Sequence, residues 1–141
     1  MKPTDFAKYL SNYLGVYLPK QKNLSNNTLK SYRDTFKLFL LFCRDKKQLN
    51  IEEISFKKID SKLIIEYLNW IEKERNCCIA TRNVRLAAIH SFFRYVQIEI
   101  PENLFCNQKI LSISFKKAPS SVVDYLTIEE LKLLFNQPDL H

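Results

Sequence analysis

A single glycine, Gly15, has to serve all 141 residues. Tight reversals and phosphate-cradling loops need a residue without a Cβ. One glycine cannot supply them, and neither GxGxxG nor GxxxxGK[ST] is present. A turn-rich all-β fold is disfavoured for the same reason. Hydrophobic residues make up 46% and aromatics 13%, enough to build a packed core and to argue against disorder. What is left is a helical chain of one ordinary domain, with room for a tail.

The apolar spacing supports that reading. Phe6, Leu10, Tyr13, Leu14 and Tyr17 recur at three- and four-residue steps and predict a first helix ending before Pro19. After a polar stretch, Leu29, Tyr32, Phe36, Phe39, Leu40 and Cys43 predict a second helix from about Asn26 to Lys46, capped by Ser25. Residues 49–59 read as a connector with a short helical turn. Asp60 can cap a third helix striped by Leu63, Ile64, Tyr67, Leu68 and Ile71, which fades at Glu74-Arg75-Asn76. The fourth, about Ile79 to Gln97, is apolar around most of its circumference (Val84, Leu86 to Ile89, Phe92, Phe93, Tyr95, Val96), so it should be packed on several sides. Pro101 ends it, and a short helix from Glu102 to Ile110 follows. Residues 112–124 have no helical period and read as an extended linker. Thr127-Ile128-Glu129-Glu130 then reads as a capping box opening a further helix through Phe135. The expectation is an all-α domain over 1–111 and, over 112–141, a linker with the first helix of a truncated second domain.

No metal or cofactor is expected. Cys43, Cys77, Cys78 and Cys106 form no CxxC clip, and His90 and His141 sit at no ligand spacing. No signal peptide is readable and no apolar run is long enough for a span, so a cytoplasmic chain without membrane contact is expected. Phe36, Phe39, Phe92 and Phe93 lie on apolar stripes and belong to the core rather than to base-stacking platforms.

The net charge of +7 is unevenly placed. Residues 25–47 hold six basic and two acidic side chains, and 77–98 hold Arg82, Arg85 and Arg94 with no acid. Residues 60–76 hold three basic and four acidic side chains. Lys30 and Arg33, and again Arg82 and Arg85, fall in the first two turns of a helix, where the dipole disfavours cations by a few tenths to about 1 kcal/mol. Two helices breaking the same rule suggest an anion bound between free backbone N–H groups and arginines. Repeated phosphates on a duplex would satisfy both. Thr28, Ser31, Thr81 and Asn83, interleaved with these cations, are suited to phosphate or base-edge hydrogen bonds. From the residues alone, two other readings stay open: a helical module for an acidic protein partner, and a small helix-turn-helix regulator. Long connections between the helices weigh against the second.

Leu24-Ser25, Thr28-Leu29-Lys30-Ser31-Tyr32, Phe36, Phe39 and Phe42-Cys43 together resemble the second helix of the core-binding, SAM-like domain of tyrosine recombinases. Ala80-Thr81-Arg82-Asn83, Leu86-Ala87-Ala88-Ile89 and Ser91-Phe92-Phe93-Arg94-Tyr95 resemble its fourth helix. Asp124-Tyr125-Leu126-Thr127, with Glu129-Glu130-Leu131, resembles the entry into that family's catalytic domain. The resemblance implies a bundle of four main helices plus a short one, clamping double-stranded DNA at a recombination half-site. By position the resemblance points to Thr28, Lys30 and Ser31 on the second helix and to Thr81, Arg82, Asn83 and Arg85 on the fourth; the cations Arg33 and Lys37 on the second helix are further candidate DNA-binding residues. Lys116 and Lys117 fall on the linker. It further implies a role in DNA integration or excision, with further protomers as partners in a tetramer on DNA, and a monomer in isolation. No catalytic residue is assigned: the family's arginines, histidines and tyrosine nucleophile lie downstream, and Tyr125 is not that nucleophile.

Overall fold

A computed structural model describes residues 4–21 and 24–117, without the side chains of 103–106. The expected helix at 127–135 and the second half of the expected linker lie outside the described residues. The described chain is all-α. Helix α1 (Asp5–Asn12) opens on Thr4, whose hydroxyl accepts from the Ala7 N–H at 3.1 Å. The α-helix ends before Pro19, as expected, but helical turns carry on past it. A wide π turn over Tyr13–Tyr17 and a 3-10 turn over Leu18–Lys20 prolong it. Pro19 falls in the first positions of that last turn, where a missing N–H costs nothing.

Helix α2 (Asn26–Lys47) is capped as expected, Ser25 Oγ accepting from the Thr28 N–H at 3.1 Å. Two 3-10 turns, Ile51–Glu53 and Phe56–Lys58, make the connector. Helix α3 (Ser61–Glu74) starts at Asp60, which accepts from the Leu63 N–H at 2.8 Å. Helix α4 (Ile79–Glu99) starts at Cys78, whose side chain makes no capping bond to the backbone. A 3-10 turn at Pro101–Asn103 leads to α5 (Leu104–Leu111).

With only one glycine, the helix ends cannot all use it. Gln48 ends α2 at φ 53° and Asn76 follows α3 at φ 52°, both left-handed. The next N–H in each case reaches back six residues, Leu49 to the Cys43 carbonyl at 2.9 Å and Cys77 to the Ile71 carbonyl at 3.1 Å. This is the glycine-type closing bond made without glycine. Gly15 itself sits in the π turn with nothing near enough to meet an added Cβ.

Helix α4 is the central element. It packs against α2, α3 and α5, as its near-continuous apolar surface requires. Phe92 is the hub: its ring meets Phe6 of α1 at 5.8 Å, Tyr13 at 5.3 Å and Phe36 of α2 at 5.2 Å, all near edge-on. Such pairs add about 0.5–1.5 kcal/mol each beyond the area they bury. Phe36, Phe39, Phe92 and Phe93 are all buried, in agreement with their stripes. On α4, Val84 near its start and Ile98 near its end stand exposed. Among the described residues, no helix is long and apolar enough to cross a membrane.

Candidate nucleic-acid interface

The starts of α2 and α4 come together because Arg85 ties them. Its Nη1 donates to the Ser31 carbonyl at 2.9 Å and to Thr35 Oγ1 at 3.3 Å. Thr35 Oγ1 donates to the same carbonyl at 2.9 Å, and the buried Tyr67 hydroxyl of α3 donates to the Thr35 carbonyl at 2.9 Å. Burial pushes the Tyr67 hydroxyl well above its ordinary value, against the pull of Arg85. Ser31 lies five residues into α2 and Arg85 six into α4, so each helix tip is only about 7–9 Å of rise from the tie. Two positive dipole ends are thereby brought to one region of the surface.

The cations expected there divide into two kinds. Lys30, Arg33 and Lys37 are exposed on α2. Their spacing of three and four residues sets them on one face, and among the described residues none of them is in an ion pair. Thr28 stands partly exposed beside them, its hydroxyl 3.0 Å from Ser25 Oγ.

On α4 the expectation meets a different arrangement. Arg82 is only 6% exposed. Its Nη1 donates to Asn83 Oδ1 at 3.0 Å and to the Ser114 carbonyl at 3.1 Å, and its Nε lies 3.4 Å from Glu72 Oε1 of α3. The cation at this helix start is therefore answered by a carboxylate of the protein itself. Arg85, half-buried, is engaged by Ser31 and Thr35. Each guanidinium has an internal acceptor.

Asn83, partly exposed, is bonded to the chain. Its Nδ2 donates to the Lys116 carbonyl at 2.7 Å, and its Oδ1 accepts from the Lys116 N–H at 3.0 Å. The Lys116 ammonium donates to Glu72 Oε2 at 3.0 Å. Lys117 is exposed. Residues 113–117 carry no regular secondary structure, and their docking is completed by His90. Its Nε2 is 3.2 Å from the Ile110 carbonyl, and its ring meets Phe115 edge-on at 5.4 Å. Burial keeps His90 below its ordinary pKa, assisted by Arg94 and Arg82 and opposed by the Ile110 bond.

Thr81 is partly exposed at the α4 start, its hydroxyl 3.3 Å from Cys78 Sγ. That bond holds the exposed Cys78 thiol below its usual value, whereas burial pushes Cys43 up to about 12. Among the described residues no group of three or more His, Cys, Asp or Glu could hold a metal.

Glu72, His90, Ser114 and Phe115 are the residues that sequence reasoning missed. Glu72 is hidden in the near-neutral sum over 60–76. His90 draws notice in the sequence only as a possible ligand. One signal is available: a carboxylate near the end of α3 and an arginine near the start of α4 face each other across a short turn.

Comparison with known proteins bears on this arrangement. The profile described as phage integrase, N-terminal SAM-like domain, matches residues 10–99. A Sinorhizobium fredii protein named as a putative integrase/recombinase, y4rC, is 36% identical over 138 residues, covering 98% of this chain and 42% of that protein. A second from the same organism, y4rD, is 35% identical over 94% of this chain and 47% of its own length. The tyrosine recombinase XerD of Halalkalibacterium halodurans is 29% identical over 92% of this chain and 42% of its own length. The chain thus spans less than half the length of these relatives. No solved structure matches it significantly.

Proposed function

Since the chain belongs to the phage integrase N-terminal SAM-like family, we propose that it binds duplex DNA at a recombination half-site and positions that DNA for a tyrosine recombinase. The observation that carries the reading is the α2 face: Lys30, Arg33 and Lys37 exposed in one row, without ion pairs among the described residues, beginning at a helix start. Ammonium and guanidinium groups at that spacing suit successive phosphates, and the N-terminal N–H groups add a fixed dipole to the same region. Thr28 and the Ser31 side chain are placed for shorter hydrogen bonds to sugar, phosphate or a base edge. Lys116 and Lys117 extend the cationic area past the start of α4. Arg82, Asn83 and Arg85 support this surface from behind.

In this reading the chain contributes affinity and placement. The phosphoryl-transfer chemistry belongs to the longer protein, a tyrosine recombinase, and other copies of it on paired sites are the remaining partners.

The test is a salt titration of duplex binding. Removing a side chain that neutralises one phosphate lowers the slope of log K against log salt by about 0.9. Lys30→Ala, Arg33→Ala and Lys37→Ala together are expected to lower it by about 2.7. Lys73→Ala with Arg75→Ala, on α3, is expected to leave it within about 0.5 of its value. Equal losses from the two sets would reduce the reading to net charge alone, and salt-insensitive binding to a protein with none to DNA would replace it with an interaction module.

A further inference from the structure

We infer that Asn83 is a positioning residue: it holds residues 113–117 as a strap on α4, so that Lys116 and Lys117 meet DNA from fixed places. The inference rests on the DNA-binding reading above and adds to it how the linker cations are presented.

A carboxamide has a donor and an acceptor side by side. A backbone residue carries the complementary N–H and C=O, and Asn83 bonds to both of Lys116, at 2.7 and 3.0 Å. This is the pairing of two neighbouring strands, made by one side chain. Asp could accept from the N–H but would repel the carbonyl; Leu could do neither. Arg82 adds a bond to the Ser114 carbonyl, and Phe115 lies against His90, so three consecutive residues of the strap are fixed by α4.

The charges favour a strap that stays docked when a polyanion arrives. Glu72 carries one negative charge between two cations, Arg82 at 3.4 Å and Lys116 at 3.0 Å. The cluster therefore keeps a surplus positive charge, and Lys116, 45% exposed at its side chain, can face a phosphate without leaving Glu72 uncompensated. A strap ordered beforehand spares binding the cost of ordering it. The same occupation means that the Asn83 amide is engaged with the chain and not with a base edge.

The experiment uses the 141-residue chain, wild type, Asn83→Ala and Asn83→Asp, with three duplexes of unrelated sequence. Both variants are expected to lose protection of the Lys116 amide against hydrogen exchange while the amides of α2 and α3 stay protected. Affinity is expected to fall about threefold to tenfold, the range for ordering one or two side chains. The fall should be the same for all three duplexes, and in Asn83→Ala the salt slope should be unchanged because no cation is removed. A loss confined to one duplex would overturn the inference in favour of base reading. Retained Lys116 protection in Asn83→Ala, or vanished protection with unchanged affinity, would also overturn it while leaving the α2 face standing. Absence of duplex binding by the wild type would overturn both.

Discussion

Replacing Arg82 by alanine separates an internal cation from one that serves a ligand. The guanidinium is only 6% exposed, makes bonds of 3.0 and 3.1 Å to Asn83 and Ser114, and lies 3.4 Å from Glu72. Removing one member of a fully buried ion pair costs about 3–5 kcal/mol, most of it from the charge left behind. Glu72 is 21% exposed and keeps Lys116 at 3.0 Å, so its charge is not abandoned. The loss then reduces to two charge-assisted hydrogen bonds and the packing of the aliphatic stem, about 2–3 kcal/mol. For a domain of this size that is about 8–12 °C in melting temperature. Urea and thermal melts followed by circular dichroism measure it. Glu72→Gln with Arg82→Ala should cost less than the sum of the two single changes, since they share one interaction. Below the melting range, Arg82→Ala should retain the wild-type salt slope on duplex DNA. A variant as stable as wild type, with the slope lowered by about 0.9, would show that Arg82 reaches phosphate in solution and would refute the reasoning.

Two further outcomes follow from buried and strained groups. His90 has a folded pKa below that of the unfolded chain, which lies near 6.5. Its contribution is present in full well above pH 6.5 and is lost as pH falls through 6.5 toward the folded value, because the unfolded chain takes up the proton first. The urea midpoint should decline between about pH 7.5 and 5.5, and His90→Gln should flatten that decline. The backbone predicts gains from opposite uses of glycine at two positions. Gln48→Gly, at φ 53°, should gain up to about 1 kcal/mol by relieving a left-handed side chain. Gly15→Ala, where nothing obstructs a Cβ, should gain about 0.5–1 kcal/mol. Urea midpoints of the two variants check both.

The local rules of the chain are legible without coordinates. Ser25 and Asp60 cap their helices because capping is decided within three residues, and the stripes of α2 and α3 name their buried faces. The apolar girth of α4 announces its central place. Pairings across sequence distance are not legible. Lys30 and Arg82 look alike in the sequence, each a cation in the first turns of a helix. What separates them is Glu72, which α3 brings to Arg82 and no described element brings to Lys30. Likewise 112–117 read as an extended linker because they lack a helical period, and 113–117 carry no regular secondary structure. Their docking depends on Asn83, thirty-three residues before Lys116, and no periodicity records it. Helical turns run on past Pro19 for a smaller reason: proline forbids the interior of a helix, but the 3-10 turn that carries it has begun a new first position.

The chain's one tryptophan, Trp70, is 9% exposed near the end of α3. It packs against Phe42 at 5.5 Å, and the Arg75 guanidinium stands 5.7 Å over its ring. Phe42 is sixteen residues along α2 from Asn26, about 24 Å of rise from the helix start, and it is buried, whereas Lys37, at the near end of the proposed cationic row, is exposed. Indole emission should consequently change when the bundle comes apart and stay level when a duplex is added. The protein carries an intrinsic optical gauge of its own integrity, packed inside the bundle, while occupancy of the exposed cationic face is something an added label would have to report.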